Sequence, residues 1–287
     1  MDIDHTKTLK RIIIHPWDGK RIYNVRHTKQ VIIDNYPKHI TSDFKIELSC
    51  FKHEEDMMIW QIDKKDLNIR DLIDEQGSLA LLKKLEDFTY PIFVQTDQCG
   101  NFIEIINHKN WVENWRLKAK EHATQNYDVN GNLEIFQKFY EIILNEKLFL
   151  NNKNSEAYWK LLFLNFSIAV PIEKEYFYKD SFFWNIMQLG PIEIKGKSNG
   201  YLSGTDFIQH FTSKKNADLK LIEKVKDAYD LQQPYDSYSS QLEFEITTTT
   251  GSSSRELRSK RATISFTIEQ QFSYKEDISI IISNEIE

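Results

Sequence analysis

Cysteine is nearly absent: Cys50 and Cys99 are the only two in 287 residues. Two thiols build neither a disulfide framework nor a four-cysteine zinc site, so free buried thiols in a reducing compartment are the simplest reading. Glycine (9) and proline (6) are scarce as well, which leaves little material for long flexible linkers. A cationic excess is lacking. The formal net charge is -6, which argues against a general electrostatic grip on nucleic acid, and no nucleic-acid partner is expected. Long apolar runs are lacking too. None approaches the ~20 residues of a membrane-spanning helix, and Met1 to Ile14 has no signal-peptide core, Ile12, Ile13 and Ile14 being too short a run. The expectation is a soluble, cytoplasmic protein of bacterial type, unless a leader has been trimmed away.

Familiar catalytic and cofactor motifs are missing in the same way. Gly190-Pro-Ile-Glu-Ile-Lys-Gly196-Lys197-Ser198 imitates a phosphate-binding P-loop, but it has five residues between the glycines, not four. Asn199-Gly200 also stands where the phosphate-holding helix should begin. Asp128, Asn130 and Asn132 alternate like the start of a calcium loop. Leu133 then replaces the obligatory glycine, and Phe139 replaces the closing glutamate. His53-Glu54 begins like a zinc-protease helix, but Met57 stands where the second histidine belongs. No Gly-x-Ser-x-Gly elbow occurs, and Asn165-Phe-Ser167 is a glycosylation sequon that a cytoplasm would not use. The sequence predicts no cofactor, no metal site and no catalytic residues.

What is present is hydrophobic and aromatic: 40% of residues are hydrophobic, with 18 Phe, 13 Tyr and 6 Trp. That suits a packed globular chain. The clearest local signal is Phe88 to Asn107. Pro91 precedes Ile92, Phe93 and Val94; Asp97-Gln-Cys-Gly100 reads as a turn; Phe102, Ile103, Ile105 and Ile106 read as the return strand. A helix carrying Trp111, Trp115, Ala119 and His122 at helical spacing follows.

Before this hairpin, strands are expected at 22–33, 44–50 and 58–62, and a helix at about 70–87 with Leu72, Leu79, Leu82 and Leu85 as its stripe. After it, helices are expected through 108–166, interrupted at Asn151 to Asn154. Residues 167–212 read as strand-rich, with Ser181 to Met187 as either strand or helix and turns at Gly190-Pro191 and Gly196 to Gly200. A helix at about 214–229 and alternating strands at 242–246, 262–268 and 278–282 close the chain. Thr247 to Arg261 reads as a mobile hairpin tip or as two extended strands with a bulge.

Strands at both ends around a helical middle predict an α+β fold: a curved antiparallel sheet from N- and C-terminal strands, packed against a helical middle segment. A single domain over 1–287 is expected, strand-rich at 20–65, with the hairpin at 91–106, helices at 108–166, more strands at 167–212 and the C-terminal sheet at 241–283. The pattern resembles the half-barrel sheets of lipoprotein-carrier-type proteins, in which a curved antiparallel sheet wraps helices. The resemblance is one of architecture, and this chain departs from it in lacking an export signal.

Three functions are compatible with these residues. The first is a non-enzymatic interaction protein that anchors a protein partner through an aromatic surface of Tyr176, Tyr178, Phe182, Phe183 and Trp184, tyrosine and tryptophan being favoured at interfaces. An accessory or neutralising partner of a bacterial toxin or secretion system fits that description. The second is a small-molecule or lipid-binding module whose apolar cavity, between sheet and helices, is lined by Trp60, Trp111 and Trp115. The third and weakest is an enzyme with an unfamiliar site built on His108, His122 and nearby carboxylates. Arg255, Arg258, Lys260 and Arg261 form the densest basic cluster, read as a solubilising loop or a contact for an anionic partner.

Overall fold

Alternation decides most of this architecture. In Ser240–Gly251, Leu242, Phe244 and Ile246 are buried while Gln241, Glu243 and Glu245 between them are not. Strands of this kind need a sheet with one covered face.

The computed structural model describes residues 9–10, 19–33, 36–54, 57–71, 78–97, 100–106, 108–126, 132–164, 168–169, 178–186, 189–217, 219–229, 231, 240–254, 256–268 and 272–283. The first strands are β1 (Leu9–Lys10), β2 (Lys20–Ile33), β3 (Tyr36–Glu54) and β4 (Met57–Arg70). Helix α1 (Ser78–Thr89) leads into the hairpin of β5 (Ile92–Asp97) and β6 (Phe102–Ile105). The helices α2 (His108–Asn126), α3 (Asn132–Leu144), α4 (Glu146–Ser155) and α5 (Ala157–Phe163) follow. Then come β7 (Ile168–Ala169), β8 (Tyr178–Asn185), β9 (Pro191–Ser203), β10 (Asp206–Asn216) and α6 (Leu219–Tyr229). The last strands are β11 (Ser240–Gly251), β12 (Leu257–Ile268) and β13 (Phe272–Ile282).

β1 and β7 form a two-stranded pair. The other eleven strands form one antiparallel sheet in the order β6-β5-β4-β3-β2-β13-β12-β11-β10-β9-β8. Its seam is β2 against β13, from Tyr23 opposite Ile282 to Ile33 opposite Phe272. Strands from the two ends of the chain therefore share one layer. Helices cover its apolar face: Tyr158 of α5 packs edge-on to Phe44 of β3 with ring centres 5.0 Å apart, and Tyr229 of α6 meets Phe272 of β13 at 5.1 Å.

The β8 end of the sheet curls back over that face. β8 lies five strands from β13 in the sheet order, about 24 Å along a flat sheet at the usual spacing. Yet Trp184 Nε1 of β8 donates to Glu276 Oε2 of β13 at 3.1 Å. Two side chains cannot bridge the flat distance, so the strands between them bend. Phe182 fills the bend, edge-on to Phe211 of β10 and Phe244 of β11 at 5.1 Å each.

Several local expectations change. β4 runs on to Arg70, so the helix expected at 70–87 is α1, beginning at Ser78; residues 72–77 lie outside the described residues. Asn151 to Asn154 do not break the helix. They lie inside α4, whose start is fixed by Asn145 Oδ1 accepting from Leu148 N. Gly196 to Gly200 is no turn but the middle of β9. Gly196 is there because the ring of Phe211 occupies the space of a side chain: an added Cβ would stand 2.4 Å from its Cζ and 2.3 Å from Thr212 O. Thr247 to Arg261 is two extended strands with a register shift at Thr249/Thr250, not a mobile tip. The β5–β6 turn has the expected form, with Gly100 at φ 78 and its N–H on Asp97 O at 3.0 Å.

Gly196→Ala should lower unfolding free energy by about 2 kcal/mol, as overpacking of a filled site does, read from the midpoint of chemical denaturation. Glu276→Gln should cost about 3 kcal/mol by breaking a buried charge cluster. Glu276 has its carboxyl pushed up by burial, but the His27 bond and the Lys29 charge outweigh this and hold it below the usual range. A carboxylate lowered on folding contributes stability above its unfolded value near 4.5, and that contribution is lost as pH falls. The variant should therefore lose less stability on acidification than the parent.

Candidate ligand-binding surface

On the outward face of the sheet, charges of opposite sign meet across strands. Glu47 lies between Lys65 at 2.7 Å and Lys20 at 3.3 Å. Asp43 pairs with Arg70 and lies 3.9 Å from Arg26. His210 lies 3.4 Å from Glu245, and along β13 Lys275 meets Asp277 at 3.2 Å.

The β8–β10 end departs from this pattern. Lys179 of β8 is directly opposite Lys197 of β9, which is directly opposite Thr212 of β10. One step along, Ser181 is opposite Lys195. Lys214 follows Thr212 by two residues on the same face. Lys195 is paired with Glu193 at 3.0 Å and Lys214 with Glu243 at 2.6 Å. Lys179 and Lys197 have no carboxylate partner among the described residues. Like charges facing across a ladder destabilise it. These side chains line a recess of about 600 Å³, together with Asp180, Gly196 and Ser213. The Asp180 carboxylate is tied to the opposite face, where it accepts the Ser198 hydroxyl. Ser213 Oγ likewise donates to Lys195 O at 2.7 Å. Next along the face, a second recess of about 480 Å³ is lined by Glu245, Thr247, Thr249, Ser259, Arg261 and Thr263.

The aromatic anchors expected in the sequence are divided by strand alternation, because neighbouring residues point to opposite faces. Trp184 is buried and bonded to Glu276, and Phe182 is half-buried inside the curl. Phe183 is 61% exposed on the outward face, two residues beyond Ser181. Tyr176 and the Tyr178 side chain lie outside the described residues.

The three indoles proposed to line a cavity are held in side-chain packing. Trp60 Nε1 donates to Thr96 Oγ1 at 2.9 Å. Trp111 Nε1 donates to Thr89 O at 2.7 Å, with its ring 4.6 Å from Phe149. Trp115 stacks among Phe136, Phe139 and Tyr140. His108 is buried beside the rings of Trp111 and Phe149, 5.6 and 6.0 Å from their centres, and the His122 side chain is outside the described residues. The basic cluster is also split. Arg258 pairs with Asp206 at 2.5 Å, Arg261 faces outward, and Lys260 points inward, fully buried. Arg255 lies outside the described residues.

Three polar clusters invisible in the sequence lie inside. His27 Nε2 donates to Glu276 Oε1 at 2.6 Å, with Lys29 Nζ 3.6 Å away. Below β4, Glu86 Oε1 takes Lys64 Nζ at 2.7 Å and lies 3.6 Å from Lys153 Nζ. Lys153 also meets Glu156 at 2.8 Å and Tyr90 Oη at 3.4 Å, and the Tyr90 hydroxyl bonds that of Tyr158. Burial pushes the Glu86 carboxyl up, but Lys153 and Lys64 outweigh it and hold it down to about 2. Finally, Lys260 Nζ donates to Leu162 O at 2.9 Å and Leu164 O at 2.6 Å, closing the C-terminal end of α5. Each cluster is saturated by its own members and joins helix to sheet or strand to strand. Among the described residues no group of His, Cys, Asp and Glu is placed to hold a metal ion.

No family model matches this chain, and no curated protein matches it. Several solved structures bear some likeness, two of which follow. One, titled for lipid–protein interactions in lipovitellin, is 9% identical with a TM-score of 0.45; the match covers 94% of this chain and 25% of that one. The chain thus spans a quarter of the lipovitellin chain. The other, an outer membrane channel from Pseudomonas putida F1, is 7% identical with a TM-score of 0.16, covering 99% of this chain and 100% of that one. Neither reaches the similarity at which fold or function transfers, and the assignment below rests on this chain's own side chains. No described helix is long and apolar enough to cross a membrane.

Lys260 yields a prediction of its own. Burial pulls its ammonium down to about 7. An amine lowered on folding carries its full penalty below the folded value, and the penalty is relieved as pH rises toward the unfolded value of 10.5. Unfolding free energy should therefore rise between about pH 7 and 10, and that rise should vanish in Lys260→Met when both are measured by denaturant titration.

Proposed function

We propose that this chain is a non-enzymatic binding module for a small amphipathic, lipid-like ligand that carries an anionic head, and that the ligand docks on the outward face at the β8–β10 end of the sheet. The observation that carries this reading is the conjunction at that place of a 600 Å³ recess, four lysines and the exposed ring of Phe183. Ammonium groups meet the head, while lysine stems and the phenyl ring offer apolar surface. Inside, the charged clusters around Glu276, Glu86 and Lys260 are engaged with one another or with backbone, whereas His108 Nε2, Trp159 Nε1 and Tyr274 Oη are buried without a hydrogen-bond partner among the described residues. The ligand alternative drawn from the sequence thus moves from the space between sheet and helices to the opposite side of the sheet. The protein-partner alternative keeps only Phe183 as an exposed anchor among the described aromatic side chains proposed for it.

Dihexanoyl phosphatidylglycerol, added below its micelle concentration, should bind and shift backbone amide resonances of β8–β10, while dihexanoyl phosphatidylcholine should bind far more weakly. Phe183→Ser should weaken the anionic lipid about tenfold, the worth of one partly reburied aromatic ring. Equal binding of both lipids, or an unchanged affinity in Phe183→Ser, would overturn the assignment.

A further inference from the structure

We infer that the recess selects a phosphate monoester dianion, with Lys179 and Lys197 as its two principal contacts and the Thr212 and Ser181 hydroxyls beside them; this rests on the binding site proposed above. The charge pattern leads to it. Of the four ammoniums at the recess, Glu193 and Glu243 neutralise those of Lys195 and Lys214. Lys179 and Lys197 are left facing each other across one rung of the ladder, about 5 Å apart at the backbone. Two uncompensated positive charges at that spacing match one doubly charged group better than a single carboxylate or phosphodiester. A phosphate monoester carries close to two negative charges at neutral pH and three acceptor oxygens. The cations are also all lysine. Bidentate recognition of a planar carboxylate is the geometry of arginine, and no arginine among the described residues lines this recess.

Protection of a sheet edge is the competing account of such lysines, because charge on an edge strand discourages pairing with another chain. It accounts for Lys179 on the edge strand β8, and Lys195 and Lys214 lie beyond the end of the β9–β10 ladder, each with a ladder partner on one side only. It does not account for Lys197, which is paired on both sides, with Lys179 of β8 and Thr212 of β10. The like-charged pair costs stability where it stands, and a bound dianion would remove that cost. Asp180, next to Lys179 in the chain, has its carboxylate already engaged by Ser198 on the other face.

The test compares four probes by isothermal titration at low salt: inorganic phosphate, dihexanoyl phosphatidic acid, dihexanoyl phosphatidylglycerol and hexanoate. The monoester lipid should bind at least tenfold more tightly than the diester. Its affinity should rise between pH 5 and 7, as the phosphate's second proton, with a pKa of about 6, is lost. Lys179→Gln and Lys197→Gln should each weaken it about fivefold and together abolish the preference over the diester, with unchanged thermal unfolding excluding a folding defect. Inorganic phosphate binding as tightly as phosphatidic acid would identify a soluble phosphate as the source, whereas binding of phosphatidic acid alone would identify a lipid headgroup. Equal binding of monoester and diester, or tighter binding of hexanoate, would overturn the dianion inference while leaving the amphipathic site intact. Silence from all four probes would overturn both.

Discussion

A single buried carboxylate ties together parts of the sheet that its hydrogen-bond ladders leave far apart. Glu276 receives His27 from β2, the Trp184 indole from β8 and the field of Lys29. Its own strand, β13, is where the two ends of the chain meet. An ionised carboxylate this deeply buried is tolerated only with several donors, and those donors come from separate strands. The requirement that they converge is what turns a row of antiparallel strands into a curled wall. Phe182, Phe211 and Phe244 then fill the inside of the bend. Without the bend, Trp184 would reach nothing, and a large indole would stand on an open face.

The same economy attaches the helices. Lys153 of α4 contacts Glu86 of α1 and Glu156 just before α5, and Lys64 of β4 reaches Glu86 while lying 4.5 Å from the Phe44 ring centre. Lys260 of β12 holds the last carbonyls of α5. Short helices have little stability of their own, and α5 has only seven residues. Its position is set by Tyr158, Trp159, Leu161 and Leu162 buried on one side and by Lys260 at its end. Hydrophobic burial supplies the bulk of the cohesion, while the few charged contacts decide which helix lies against which strand.

The alternation of Phe44, Ile46 and Leu48, and of Ala262, Ile264 and Phe266, made the strands and their shared layer legible, because period two has one structural solution when one face is covered. The β5–β6 hairpin was legible from Asp97 and Gly100 for a similar reason. Gly196 misled because a glycine signals a turn and a close ring contact equally well, and only Phe211, fifteen positions on, distinguishes them. Asn151 to Asn154 misled because the weak helix propensity of the asparagines is overridden by the burial of Phe149 before them and of Lys153 among them. The binding surface itself was hidden. Lys179, Lys195, Lys197 and Lys214 are spread over three strands, and their proximity exists only in the register of β8, β9 and β10. The basic run that the sequence did display, Arg258 to Arg261, is taken apart by alternation, with Lys260 turned into the core.

These two outcomes share one cause. A strand assigns adjacent residues to opposite faces, so side chains that form a patch are drawn from several strands at matching positions, and a dense run in sequence is divided. Phe182, Phe183 and Trp184 show the division: two rings build the curl and the third is left outside. The lysines show the assembly. On this sheet the charged groups of the inward face hold the fold, and ion pairs link many charges of the outward face. The place where Lys179 and Lys197 face each other also carries a recess and an unpacked aromatic ring. Stability alone favours neither the opposed lysines nor the bare ring, and a ligand that satisfies both at once gives each a reason to be there.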